Sequence, residues 1–494
     1  MRVLKASEMA RIENLAYQDG ISDEIYMQNA GLGIAKILIN LIEKKKLSPK
    51  INIIAGKGNN AGDGYVVASL LLEKGYTVKV FQLFEINTAS SLCKLNHDRF
   101  DNKKGNIIYV KNISDLVFDE KCFILDGIFG TGFQGEIKGF LLDVIKKINS
   151  SNLKIVSIDI PSGLNGNSGK TNSIAIKADV TIYLGCAKLG FFINDGPDYI
   201  GNLEYVDFGL LEKYKKLANF KLEYMDKFNF KDYLPKIDRK RHKYEAGFVM
   251  GIAGSKGMFG AAKLAALAVY RSGSGIVKMI TQVEIPNPFY ELVNFVIDYE
   301  KTDEIIEYAN KADSIFIGPG LGRDQKIEDF LFKIFPKITK KTILDADALY
   351  HLANNSMILP KLSVLTPHKN EMKRLLKAEK IEDDALIEKT KKFSQDKNVI
   401  IVLKGYPTTV FHPKKEPVTI LGGDPGLATA GTGDVLTGMI ASFAAQKLDL
   451  YDASLLAVNL HFLAAELAAK KKTSYSLIAS DVIDFLPEAF KEVL

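Results

Sequence analysis

Cysteine is scarce in this chain of 494 residues: Cys93, Cys122 and Cys186 stand far apart and form no C-x-x-C pair. That spacing argues against a disulfide framework and a thiolate zinc site, and the usage suits a reducing cytoplasm. Long apolar runs are missing too. No 18-residue apolar run is free of charge, so no membrane partner is expected. The N-terminus, MRVLKASEMARIENLA, has no apolar core of signal-peptide length. Neither sign of charge dominates. The 65 Lys and Arg against 59 Asp and Glu leave a formal +6, which for this length does not point to nucleic acid. Hydrophobic residues at 47% and charged residues at 25%, with 39 glycines, exclude a disordered or collagen-like chain.

Short β-branched runs alternate with helical patterns. Ile51–Ala55, Thr77–Leu83, Cys122–Asp126, Lys154–Asp159, Val180–Leu184 and Leu203–Asp207 read as strands, with a helix over 61–74. The pattern fades after Asp207. It restarts at Gly247 with FVMGIAG, a helix over 260–272, and strands at 276–281, 314–318, 342–345, 363–366 and 398–404. Helices over 433–446 and 453–470 follow. Strands alternating with helices imply parallel sheets, so the expected class is α/β with two domains, 1–215 and 240–494, joined by a linker at 216–239. The basic run Lys236–Lys243 reads as a solvated part of that linker.

In the first half, the turn GKGNNAGDG (Gly56–Gly64) lies between a strand and a helix, where backbone N–H groups favour phosphate. It does not have the G-x-G-x-x-G spacing of a dinucleotide-binding dehydrogenase. Asn59, Asn60 and Asp63 add more polar groups than a turn requires. Asp126 and Asp159 each end an apolar strand, Ser162 follows in DIPSG, and Lys188 follows the next strand. Ligands of open α/β sheets bind at the carboxyl ends of strands, and Asn, Asp and Ser oxygens suit a hard cation. GKGNNAGDG, DGIFGTG and IDIPSGLNG resemble the NAD(P)H-hydrate epimerase domain over about residues 1–215. The resemblance implies that Asn59, Asn60, Ala61, Gly62, Asp63, the loop residues Gly130, Thr131, Gly132, Phe133, Gln134, Gly135 and Glu136, and Asp159 bind the hydrated dinucleotide. It implies potassium at Asn60, Asp126 and Ser162, and proton transfer by Asp159. Ala61 stands where that family usually has Gly, which matters only if the position needs positive φ.

In the second half, Gly431-Thr432-Gly433-Asp434 precedes an apolar helix. The turn offers an anion cradle and a carboxylate placed as a general base must be. With IGPGLG, LDADAL, LTPHKNEM and VLKG, this segment resembles the ADP/ATP-dependent NAD(P)H-hydrate dehydratases of the ribokinase-like superfamily over about residues 240–494. The resemblance implies a hydrate site at Ala262, Gly322, His368 and Asp434. It implies nucleotide contacts from Lys404, Gly405, Tyr406, Pro407, Thr408, Gly431, Thr432 and Gly433, with magnesium accompanying ADP or ATP. Lys369 and Asn370 depart from the usual Pro-Gly. Asp424 departs from a usual Asn and is expected to repel nucleotide phosphates unless a cation intervenes.

Together the halves are expected to form a Rossmann-like domain and a ribokinase-like domain. Their expected substrates are the hydrates NADHX and NADPHX, epimerised by one and dehydrated in the S form by the other at the expense of ADP or ATP. The resemblance also implies a cytoplasmic homo-oligomer. The competing readings are a vitamin or sugar kinase with an accessory dinucleotide-binding domain, a non-enzymatic scaffold, and a dehydrogenase.

Overall fold

The structure is a computed structural model and describes residues 1–133, 135–219, 222–225 and 230–494. The chain divides into two compact units, Met1–Glu223 and Tyr224–Leu494. In the first unit seven parallel strands lie in the order Asn106–Tyr109, Thr77–Gln82, Lys50–Ala55, Phe123–Gly127, Lys154–Ile158, Val180–Leu184 and Asn202–Val206. Ile51–Ala55 and Phe123–Gly127 are buried along their whole length, as strands covered on both faces must be. The order reverses beside Lys50–Ala55: the next strand, Thr77–Gln82, lies on one side and Phe123–Gly127 on the other. Such a switch point opens a crevice at the carboxyl ends of the strands.

A smaller pairing is separate from that sheet. Arg2–Leu4 runs parallel to Ala187–Lys188, with Leu4 opposite Lys188, and antiparallel to Leu222–Tyr224. Helix Ala6–Gln18 follows at once, so its position is tied to Lys188 by strand register. All three cysteines belong to this unit and are buried free thiols. Burial raises all three, Cys93 to about 12 with Asp63 contributing.

The second unit carries parallel strands in the order Val293–Val296, Ile276–Thr281, Phe248–Ile252, Ser314–Ile317, Lys341–Leu344, Ser363–Leu365 and Ile400–Leu403. An antiparallel hairpin, Thr408–His412 and Lys415–Ile420, extends it. The sequence pattern did not distinguish this hairpin. Helix Thr432–Ala445 is apolar nearly all round and packs on helix Phe259–Arg271. A methyl group on Gly438 would lie 2.1 Å from the Ala265 carbonyl oxygen, so the two backbones touch there.

Within 216–239, Leu222 and Phe230 are buried, Phe230 in the core of the second unit, while the basic run Lys236–Lys243 is exposed but for half-buried Arg241. Two helices, Asp23–Glu43 and Leu450–Lys472, are long and apolar enough to cross a membrane, but 44% and 72% of their most apolar windows are buried inside the protein. Their apolar faces serve the cores: Ile34, Ala35, Leu38 and Leu41 pack against the first sheet, and Leu455, Leu456 and Leu460 lie in the second core.

Gly438→Ala tests the backbone contact. The added carbon has nowhere to go, so the second unit is expected to lose about 1–3 kcal/mol. Thermal unfolding should show a clearly lower Tm, and an unchanged Tm would mean the helices separate freely.

Candidate active sites

In the first unit the turn after Lys50–Ala55 is held by its own chemistry. Gln82 donates from Nε2 to the carbonyls of Gly56 (2.8 Å) and Phe84 (3.0 Å) and accepts from the Tyr65 hydroxyl (2.6 Å). Gly56 is required: a Cβ there would sit 2.0 Å from the Ile128 carbonyl oxygen. The helix starts at Asn59, two residues earlier than the pattern indicates, and runs to Glu73. Ala61 is therefore helical and buried, with no positive φ, so Ala is accommodated where Gly is usual.

A cavity of about 540 Å³ opens on this turn. Asn59, Asn60, Asp63, Gly130, Thr131, Gly132, Phe133 and Asp159 line it. Ala61 and Gly62 are buried in the helix behind it. Gly135 and Glu136 lie outside the lining, Glu136 paired with Lys138 at 2.7 Å in solvent, and Gln134 lies outside the described residues. Phe129 and Phe133 stack at 4.3 Å along one wall.

Asp126, Ser162 and Asn60 come together around the Phe129 carbonyl. Asp126 is fully buried. Its carboxylate accepts from the Ser157 hydroxyl (2.9 Å), the Ser162 amide (2.9 Å) and hydroxyl (2.6 Å), and the Ile128 amide (3.2 Å). The Ser162 hydroxyl also lies 3.2 Å from the Phe129 carbonyl, and Asn60 Nδ2 donates to that carbonyl at 3.0 Å. Burial raises Asp126 despite these bonds, and no cationic side chain contacts it among the described residues. A buried carboxylate without a positive partner is costly, and this set of hard oxygens fits a hard cation.

Asp159 adopts positive φ, +62°, at the end of strand Lys154–Ile158. That turns its carboxylate back to accept from the Leu184 amide (3.2 Å) and to pair with Lys188. Lys188 is 1% exposed and also donates to the Leu184 carbonyl (3.0 Å). Three further carboxyls line the cavity, those of Asp23, Asp63 and Glu13. Asp63 is raised well above the usual range by burial and by Asp159 and Glu13. Glu13, on helix Ala6–Gln18, is raised to about 7 by burial and by Asp159, against the opposing effect of Lys188. The sequence reading did not find Glu13. Its signal is weak: Met9, Glu13 and Tyr17 follow i, i+4 spacing along one cavity-lining face.

In the second unit the ends of three parallel strands and one helix start converge. Lys404 ends strand Ile400–Leu403 and donates to Asp345 (2.8 Å), which ends strand Lys341–Leu344. The second oxygen of Asp345 accepts from Thr437 (2.7 Å). A Cβ on Gly433 would lie 3.1 Å from Lys404 Nζ, so that ammonium stands at the start of helix Thr432–Ala445. Gly431 caps this helix at φ +95°, and the carbonyl of Thr432 contacts buried His461 (3.0 Å). Asp434 is raised to about 7 by burial and by Asp345, with Lys404 opposing.

Gly322 is clamped at both polar atoms: its amide donates to Asp347 (3.0 Å) and its carbonyl meets His351 (3.1 Å). His368 caps helix Lys369–Leu375, accepting at Nδ1 from Asn370 (3.1 Å) and Glu371 (3.3 Å), and bridges to Lys404 in the sheet. Ala262 is buried in helix Phe259–Arg271 behind the site. Gly405 and Thr408 close a turn around the Tyr406–Pro407 cis peptide, the Thr408 hydroxyl donating to the Gly405 carbonyl (2.9 Å). Lys369 pairs with Asp383 (2.8 Å). Asp424 spends its carboxylate locally, on the Gly426 amide (2.8 Å) and the Ser474 hydroxyl (2.9 Å). Asp345 and Asp347 had no assigned role in the sequence reading, although D-A-D at a strand end marks them.

Residues 249–488 match the family described as NAD(P)H-hydrate dehydratase, and residues 23–190 match the YjeF-related protein N-terminus. The chain is similar to the bifunctional NAD(P)H-hydrate repair enzyme Nnr of Moorella thermoacetica, 32% identical over 100% of this chain and 97% of that one. It is also similar to that of Coxiella burnetii, 30% identical over 98% and 99%. A solved ADP/ATP-dependent NAD(P)H-hydrate dehydratase from Bacillus subtilis, co-crystallised with ATP/Mg2+, is 29% identical over 55% of this chain and 99% of that one, with a TM-score of 0.48.

The raised carboxyl of Asp434 has a thermodynamic signature. The folded chain holds this proton more tightly than the unfolded chain. The group therefore contributes stability that is present below about pH 4 and lost as pH rises through about 7. Asp434→Asn should raise the Tm of the second unit at pH 8 and change it much less at pH 5. Equal shifts at both pH values would contradict the burial account.

Proposed function

This chain belongs to the bifunctional NAD(P)H-hydrate repair enzymes, and from that membership we propose how its two halves divide the work. It repairs hydrated NAD(P)H. Residues 1–215 interconvert the R and S hydrates, and residues 240–494 dehydrate the S form at the expense of ADP or ATP. The vitamin or sugar kinase alternative is set aside, because the bifunctional NAD(P)H-hydrate repair enzymes match over 100% and 98% of this chain. The observation that carries the assignment of the first half is the cavity at the switch point, where the glycine-rich turn, the loop 130–133 and Asp159 face one space.

The first half needs a site for the dinucleotide and a group that moves a proton. Asn59, Asn60, Asp63 and Gly130–Phe133 supply the walls, and Asp159, held by Lys188, is the proton-transfer group at the hydroxyl-bearing ring carbon. Asp126, Ser162 and Asn60 would hold potassium, whose charge would balance the buried Asp126 carboxylate.

The second half faces a poor leaving group, hydroxide. Transfer of a phosphoryl group from ADP or ATP to the substrate hydroxyl forms a phosphate ester and releases AMP or ADP. Asp434 accepts the hydroxyl proton. Loss of phosphate with a proton from the neighbouring ring carbon then restores the double bond of NAD(P)H. The N–H groups of Gly431–Gly433 and the Lys404 ammonium stabilise charge on the transferring group, while Gly405–Thr408 contact the nucleotide. Ala262, Gly322 and His368 line the hydrate side. No three His, Cys, Asp or Glu side chains cluster as a metal cage among the described residues. Magnesium is therefore proposed to come with the nucleotide, as it commonly does. The enzyme is proposed to act as a cytoplasmic homo-oligomer.

Mixed epimers of NADH hydrate, given magnesium, potassium and either ADP or ATP, should return NADH absorbance beyond the share of the S form. Asp159→Ala should halt recovery at that share, and Asp434→Ala should abolish recovery while epimerisation continues. Loss of both activities in either folded variant would overturn the division. Replacing potassium by choline should slow epimerisation and leave dehydration unchanged, and Asp126→Asn should erase that dependence. A potassium effect that survives Asp126→Asn would move the ion elsewhere.

A further inference from the structure

Four carboxyls, Glu13, Asp23, Asp63 and Asp159, line the cavity of the first unit, and among the described residues only Asp159 is ion-paired. Asp159 is bound to Lys188. Asp63 and Glu13 make no hydrogen bond or ion pair among the described residues, although both face the cavity. Glu13 lies outside the 23–190 segment that matches a family description. Its helix is placed by the strand before it, whose Leu4 stands opposite Lys188. Register therefore brings Glu13 to the Asp159–Lys188 pair.

We propose that Glu13 is a second catalytic residue of the epimerase, the general acid that works with Asp159 as base. The inference rests on the epimerase reading of this cavity. The reaction inverts a ring carbon that bears a hydroxyl and adjoins the ring nitrogen. Inversion requires that the bond to oxygen break on one face and form again on the other. Protonated Glu13 gives its proton to the departing hydroxyl, which leaves as water. The nitrogen lone pair moves into the ring to form an iminium ion. Water then adds to the opposite face, and the proton it sheds goes to Asp159. One water leaves and one enters. The cavity is left with Glu13 ionised and Asp159 protonated, and proton exchange with solvent or a turnover in the reverse direction restores the starting state.

The environments divide the roles. An acid must carry its proton near neutral pH, and Glu13 is raised to about 7. A weak base suffices for Asp159, because water bonded to an iminium carbon is strongly acidic. Pairs of carboxyls in unlike surroundings commonly split acid and base work in this way. The groups facing Glu13 are Asp159 and Lys188 at the strand ends, Asp63 on helix Asn59–Glu73, Asp23 and Tyr26 on helix Asp23–Glu43, Lys57 in the glycine-rich turn and Tyr17 on its own helix.

The test measures interconversion of separated R and S hydrates by chromatography, without nucleotide, across pH. In the wild-type chain, kcat should fall as pH rises past about 7, because Glu13 loses the proton it must donate. Glu13→Gln should lower kcat about 10²-fold or more, as loss of a general acid does, with that falling limb gone. Binding of NADPH, which lacks the hydroxyl, should be unchanged in Glu13→Gln, which excludes misfolding of the cavity. Glu13→Asp should recover part of the rate. A Glu13→Gln rate within twofold of wild type, or an intact falling limb, overturns the proposal. So does a limb that disappears in Asp63→Asn and persists in Glu13→Gln, since the acid is then Asp63. A wild-type chain that does not interconvert the hydrates at all refutes the epimerase reading itself, a distinct result.

Discussion

A lysine ammonium paired with the aspartate that ends a parallel strand recurs in both units, as buried Lys188 with Asp159 and half-buried Lys404 with Asp345. Each pair is costly to desolvate, and each is supported by further bonds: the Leu184 amide and carbonyl in one unit, Thr437 in the other. Removing one partner would leave an uncompensated charge in a poorly solvated crevice. The charges of these pairs act on the neighbouring carboxyls. Glu13, Asp63 and Asp434 are left with burial and like charge, and their proton affinity rises accordingly.

Under the roles proposed above, the same physical device serves opposite ends. Raising a carboxyl toward neutrality keeps a proton available for donation in the first unit. In the second it gives Asp434 enough basicity to take a proton while remaining ionised for much of the time near pH 7. Strand topology makes the device possible, because parallel strands bring their carboxyl ends, and the charged residues that terminate them, to one edge of the sheet.

Much of this was legible in the sequence because the informative residues are neighbours in the chain. Gly56–Gly64, DGIFGTG, DIPSG and GTGD each announce a strand end or a helix start, and the strands they follow read as short apolar runs. The departures at Ala61 and Asp424 also resolve locally: one is an ordinary helical residue and the other caps a short turn. What stayed hidden depends on residues far apart in the chain. Glu13 gains its meaning from the pairing of Leu4 with Lys188, and Asp345 from a lysine 59 positions away. Neither relation leaves a pattern in its own neighbourhood. The boundaries moved for the same reason: Asn59 and Asn60 read as loop residues, yet the Gln82 clamp on Gly56 lets the helix begin at Asn59.

The three thiols have a practical consequence. Cys93, Cys122 and Cys186 all lie in the first unit, all are buried, and all are held protonated by their surroundings. A thiol in that state resists alkylation and oxidation, since the thiolate is the reactive form. The native chain is thus silent toward thiol reagents, and any labelling reports an opening of the first unit alone. The protein carries its own local probe of breathing, with the cysteine-free second unit as an unlabelled background.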